Sequence, residues 1–330
     1  MGRKGNNKFG GVLAIPIIIF LLWAGSGQVW AQQSAAPPLT TQKLIFIHHS
    51  TGENWLADWS GGLGATLRDN NYFVSDTNYG WGPDGIGDLT DIGYWYNWFV
   101  GPQSPTYLAA LYAESWQNCE YTRLEADPGG ENGIVLFKSC FPNSHLGGGP
   151  ADPPTVGENP LRGMECYDET IHTVANAKGV YNDLLAYFAT RPDKMFVLII
   201  SPPQAPGSTD EAHAANARAL ADWLGTEWLA GYEGNNVFAY DFFNVLTSNS
   251  GDEWTADIGT AEGNHHRFHE GAIQHLQTVA QNTSAYAQDP YDGHPTEAGN
   301  QKATYEFVPV LNVFYNCWQG LGECPGAVVE

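Results

Sequence analysis

The chain of 330 residues carries 14 Lys and Arg against 36 Asp and Glu, a formal net charge of −22. A surface this acidic repels nucleic acid and anionic membrane, so neither is expected as a partner, and it suits a soluble exported protein. The 12 Trp, 16 Tyr and 15 Phe fit carbohydrate stacking and a large aromatic core equally well.

Arg3, Lys4 and Lys8 precede the apolar run GVLAIPIIIFLLWAG, and Ala31 follows it, the order of a secretory signal peptide over residues 1–31. The run is shorter than the roughly 20 residues of a spanning helix, and Pro16 interrupts it. Cleavage is therefore expected, with a secreted or periplasmic product and no membrane attachment afterwards. Residues 32–42 read as a flexible lead-in, and residues 43–330 as one domain with long loop insertions, because no repeat or low-complexity linker divides them.

Five apolar runs follow in order, KLIFIHHS, YFVSDTNYG, GIVLFKSC, KMFVLIISPP and NVFAYDFF, each stopped by small or polar residues. Nearly continuous apolar runs suit parallel strands covered on both faces. Between them, apolar residues recur at helical spacing from Thr170 to Phe188, and STDEAHAANARALADWLGTEWL opens with Ser208 three residues before Glu211, a capping-box pattern. TEAGNQKATYEFVPVLNVFY reads as a closing helix that Pro309 should kink or restart. The alternation predicts an α/β fold, a three-layer α/β/α sandwich around a mainly parallel, five-stranded, flavodoxin-like sheet. The binding crevice is then expected at the carboxyl ends of the strands, walled by the Trp- and Gly-Pro-rich loops after the second and third.

Five cysteines in an exported chain imply disulfides. Cys317 with Cys324 is the first expected pair and Cys119 with Cys166 the second, leaving Cys140 as a buried thiol. No C-x-x-C spacing occurs, so no zinc site built on cysteines is expected.

A serine becomes a nucleophile when a histidine takes its proton, an acid orients that histidine and donors hold the oxyanion. Ser50 stands at the junction after the first strand, where its own N–H is one such donor. His294, in YDGHPTEAGNQKAT, is the matching histidine, and Asp292 lies two residues before it. Gly80 after the second strand and Asn143 after the third offer further donors.

These residues, in this order, resemble the SGNH or GDSL-type hydrolase superfamily over about Lys43 to Tyr315. The resemblance implies a secreted serine esterase that cleaves carboxylic esters through an acyl-enzyme and needs no cofactor or metal. Ser50 would be the nucleophile, His294 the base and Asp292 its orienter, with Ser50, Gly80 and Asn143 holding the oxyanion. The first block matches only at the serine, Gly87 in GIGDLT matches the second block as well as Gly80 does, and the acid is Asp292 or Asp289, or the site works as a dyad of Ser50 and His294 alone. His49, His265, His266 and Arg267 are expected to contact a small-molecule or polysaccharide ester, with acetylated glycans as one candidate class. Two other readings compete. One is a metal-dependent hydrolase built on His265, His266 and His269, the first and last sharing a face if the segment is helical. The other is a catalytically inactive carbohydrate-binding protein on the same fold.

Overall fold

The computed structural model describes residues 32–249 and 262–326, together with residues 1, 2 and 5. The export signal expected over residues 1–31 otherwise lies outside the described residues. Contacts divide the chain into two units, residues 1–31 and 32–330, and the second is described below.

Strands β1 (Gln42–Ile47), β2 (Tyr72–Thr77), β3 (Ile134–Lys138), β4 (Met195–Ile199) and β5 (Val237–Tyr240) form one sheet in the order β2-β1-β3-β4-β5. Every pairing is parallel, with Leu44 opposite Val74 on one side and Ile134 on the other. The five apolar runs are thus the five strands, and the order is the flavodoxin-like one. Because side chains alternate along a strand, Ile45, Ile47, Val135 and Phe137 point to one face and Leu44, Phe46, Ile134 and Leu136 to the other.

The first face is covered by α3 (Trp95–Phe99), α4 (Ser104–Ala113), α5 (Val174–Phe188) and α6 (Glu211–Thr226). The second is covered by α1 (Ser50–Leu56), α2 (Leu63–Asp69), α7 (Phe242–Val245) and α8 (Glu297–Trp318). Two apolar cores on opposite sides of a fully buried sheet are the three-layer sandwich that the sequence predicts.

Local details differ from expectation. Asp210, not Ser208, caps α6, accepting from the N–H groups of Ala212 and His213, while the Ser208 hydroxyl donates to the Tyr291 carbonyl. Asp at the N-cap satisfies two of the helix's orphan donors directly, which leaves Ser208 free to tie down a neighbouring loop. Helix α8 runs unbroken through Pro309, buried along most of its length, so packing compensates for the missing N–H. Residues 32–41 lack regular structure, but Asn312 and Asn316 on α8 donate to the carbonyls of Ser34, Ala35 and Ala36.

Two hairpins stand outside the sheet, β6 (Asn264–His269) with β7 (Ala272–Gln277) and β8 (Ala287–Asp289) with β9 (Asp292–Pro295). The first turns at Glu270 and Gly271, with φ of 50° and 87°, the left-handed geometry of a tight hairpin turn. The segment NHHRFHEG is therefore a strand and its turn, not a helix. Four strand residues spread His265 and His269 about 13 Å apart, where a helix would stack them. Cys317 and Cys324 form a disulfide, whereas Cys119, Cys140 and Cys166 are thiols, so the second expected pair is not made.

Candidate active site

Strand order reverses between β1 and β3, and the crevice of such a sheet opens outside the carboxyl ends of these two strands. Ser50 sits there as the first residue of α1, after His49 in an extended conformation (φ −126°, ψ −171°). The β8–β9 hairpin reaches the same place from near the end of the chain. His294 Nε2 lies 3.0 Å from Ser50 Oγ, and His294 Nδ1 lies 2.5 Å from Asp292 Oδ1. The same carboxylate oxygen accepts the backbone N–H of His294 at 3.0 Å. With Asp292 accepting at Nδ1–H, the imidazole presents an unprotonated Nε2 to the serine hydroxyl, the tautomer a general base requires. Burial pushes the Asp292 carboxyl up, but the His294 N–H and imidazole outweigh it and hold the group below the usual carboxylate range.

The hairpin is held in place by its own turn and by an aromatic wall. Asp289 accepts from the N–H groups of Tyr291 and Asp292, so it shapes the turn. Phe141, on the 3-10 turn Phe141–Ser144 after β3, meets the His294 ring edge-on at 4.9 Å. That approach requires glycine at position 293, where a Cβ would lie 2.8 Å from the Phe141 ring.

Beneath the serine lies a polar floor supplied by β3. Cys140 Sγ is 3.7 Å from Ser50 Oγ and 3.3 Å from Thr51 Oγ1, and Lys138 Nζ approaches it at 3.5 Å. Burial pushes the Lys138 ammonium down. Burial alone would push the Cys140 thiol up, but the Lys138 charge and the hydrogen-bond contacts with Thr51 and Ser50 bring it below its ordinary value. On the open side stands Tyr79, whose ring stacks on His49 at 3.9 Å. Burial pushes the pKa of its hydroxyl up, with the neighbouring Ser50 side chain and N–H partly offsetting this, so it remains a proton donor at neutral pH.

No family model, curated protein or solved structure matches this chain.

The remaining predicted residues are placed as follows. His49 Nε2 meets the Gly87 carbonyl at 2.5 Å and Nδ1 meets the Thr90 hydroxyl at 3.0 Å, while burial pushes the ring's pKa down. A neutral ring that donates from Nε2 and accepts at Nδ1 satisfies both, so His49 anchors the loop after β2. The N–H of Gly80 donates to Asp88 Oδ1 at 2.7 Å, and that of Gly87 to the Trp81 carbonyl at 2.8 Å. Asn143 is fully buried, its amide donating to Asp91 and accepting from Ile92 N–H. These three groups are thus engaged away from Ser50.

His265, His266 and Arg267 are buried on β6. His265 pairs with Glu306 at 2.7 Å, and His266 Nδ1 accepts the Asp241 N–H at 2.8 Å. His269 lies near Glu270. A cleft of about 330 Å³ opens between α6, β5 and the C-terminal segment, but none of its lining residues belongs to the Ser50 site. Among the described residues, metal-ligating atoms converge in two other groups, His48 with Asp76 and Cys119, and His145 with Glu169 and His213.

Tyr79, Phe141 and the Cys140–Lys138 pair gave no motif in the sequence. The one available signal was their position just past strands β2 and β3, where crevice residues are expected.

Proposed function

We propose that the protein is an exported serine esterase of the SGNH type, hydrolysing carboxylic esters through an acyl-enzyme. The observation that carries this reading is the connected chain Ser50 Oγ, His294 Nε2, His294 Nδ1, Asp292, with links of 3.0 and 2.5 Å. Ser50 Oγ attacks the ester carbonyl as its proton passes to His294 Nε2, and Asp292 stabilises the imidazolium. The C–O bond to the leaving alcohol then breaks, and His294 returns the proton to that oxygen. In the second half, His294 takes a proton from water, the hydroxide attacks the acyl carbon, and Ser50 leaves with the proton restored.

The oxyanion is assigned to the Ser50 N–H and the Tyr79 hydroxyl, since the donors at Gly80 and Asn143 are committed to Asp88 and Asp91. For the substrate, the reading favours acetylated glycans. Tyr79 and Tyr291, which expose 62% and 75% of their surface, stand beside the catalytic serine and histidine hairpin as stacking faces for a sugar. The Cys317–Cys324 disulfide suits an oxidising compartment.

The test is ester turnover on an aryl acetate and on acetylated oligosaccharides. Ser50→Ala and His294→Ala should each lower kcat by roughly 10⁴-fold or more, and the double variant should be little worse, because the residues act as one unit. Full activity in either single variant, correctly folded, would refute the assignment.

A further inference from the structure

Directly before the nucleophile, the chain places a second cluster of chemically active side chains, and it has no part in the reaction above. His48 directly follows β1, Asp76 lies near the end of the adjacent β2, and Cys119 belongs to the loop after α4. His48 Nε2 is 3.2 Å from Asp76 Oδ2, Cys119 Sγ is 3.2 Å from the same oxygen, and Cys119 Sγ is 3.8 Å from His48 Nε2. His48 and Asp76 are fully buried, whereas Cys119 is partly exposed.

The N···O separation matches an edge of a tetrahedron around zinc, and the two contacts to sulfur, at 3.2 and 3.8 Å, fall on either side of one. Bonds of about 2.0–2.1 Å to nitrogen and oxygen and about 2.3 Å to sulfur imply edges of about 3.3 Å for N···O and about 3.6 Å for contacts to sulfur. The outer contacts have the pattern of a metal site too. His48 Nδ1 faces the His49 carbonyl at 3.3 Å, the second contact that fixes a ligating imidazole. Asp76 Oδ1 accepts from Asn118 N–H at 2.8 Å and from the Tyr121 hydroxyl at 2.9 Å, which leaves Oδ2 for the centre of the triangle. Both His48 nitrogens therefore face oxygen acceptors.

We infer that His48 Nε2, Asp76 Oδ2 and Cys119 Sγ are three ligands of a tetrahedral Zn²⁺ site, with a water completing the shell from the exposed side of Cys119. The ion displaces the Nε2 proton of His48 and the thiol proton of Cys119 into solvent. One zinc with one thiolate, one carboxylate and a neutral imidazole leaves the buried site without net charge. Its role is a brace. It ties the ends of β1 and β2 to the loop after α4, two residues before Ser50, and the absence of a C-x-x-C spacing hid it because the ligands come from three segments. Gly52 belongs to the same construction, since a Cβ there would lie 2.4 Å from that of His48.

The test uses the full chain, reduced, stripped of metal and titrated with Co²⁺ as the spectroscopic probe, then with Zn²⁺. One equivalent of Co²⁺ should give a thiolate-to-cobalt charge-transfer band and the intense visible bands of tetrahedral cobalt, both bleached by Zn²⁺. Cys119→Ser should abolish the charge-transfer band and weaken Zn²⁺ binding at least tenfold. His213→Ala, which removes a ligand from the surface group of His145, Glu169 and His213, should leave the band unchanged. If Cys119→Ser does not fold, X-ray absorption on the zinc-loaded wild type should show one sulfur and a low-Z remainder. No cobalt–thiolate band in the wild type, a band that survives Cys119→Ser, or a zinc shell without sulfur would each overturn the inference.

Discussion

At the scale of single residues, Ser50 and His294 were legible in the sequence because each ends a recognisable segment, one after a strand and one before a helix. The orienting acid was not, since Asp289 and Asp292 both flank the histidine and only a hairpin decides between them. The turn between β8 and β9 gives them different work, Asp292 holding Nδ1 of His294 and Asp289 holding two backbone N–H groups. Asp292→Asn should therefore lower kcat by roughly 10³–10⁴-fold with the fold intact, because the amide selects the wrong tautomer. Asp289→Ala should act mainly on stability, and a larger kcat loss for Asp289→Ala than for Asp292→Asn would reverse the two roles. Tyr79 was invisible to motif reading because its contact with Ser50 exists only in three dimensions. Tyr79→Phe keeps the stack on His49 and removes the hydroxyl, so kcat should fall about tenfold or more with KM little changed. An unchanged kcat would remove Tyr79 from the oxyanion site.

At the scale of elements, the β-strands of the sheet were readable because continuous apolar runs have few other uses, whereas the β6–β7 hairpin was not. Its sequence is polar and histidine-rich, and histidines four apart fit helical spacing as readily as a strand. What fixes it as a hairpin is burial against α7 and α8, supplied by residues far away in the chain. This hairpin carries a pH signature. Burial pushes His266 down to about 3, from an ordinary value of 6.5, and its neighbour His275 adds to the effect. A depressed pKa means that the unfolded chain binds the proton first, so stability is full above about pH 6.5 and falls as the pH drops toward 3. His275 behaves oppositely. Burial pushes it down, but Asp241 at 2.7 Å outweighs that and raises it, so its stabilisation is present below pH 6.5 and lost as pH rises through the raised value. His266→Phe should lower stability at pH 7, because the Asp241 N–H loses its acceptor, and should flatten the decline in urea midpoint between pH 6.5 and 4. An unaltered slope would show that His266 is not the group that titrates.

At the scale of the whole molecule, the sheet order places the β1 and β3 ends side by side, and the chain's last hairpin closes over them. The three-layer architecture followed from the alternation of apolar runs and helical spacing, since each such run needs cover on both faces. The meeting of Ser50 with His294, 244 residues apart, followed only from the ordered set of motifs and from the rule that crevices open at strand ends. Residues such as Lys138 and Cys140, which support the serine from below, carry no pattern of their own, and so the floor of the site appears only once the strands are stacked. The central claim is that this convergence makes Ser50 a nucleophile. It is tested most directly by treating the folded protein with a fluorophosphonate and mapping the adduct by peptide mass spectrometry. The account predicts a single stoichiometric adduct on Ser50, lost in His294→Ala; an unlabelled Ser50 in folded wild-type protein, or labelling that persists without His294, would contradict it.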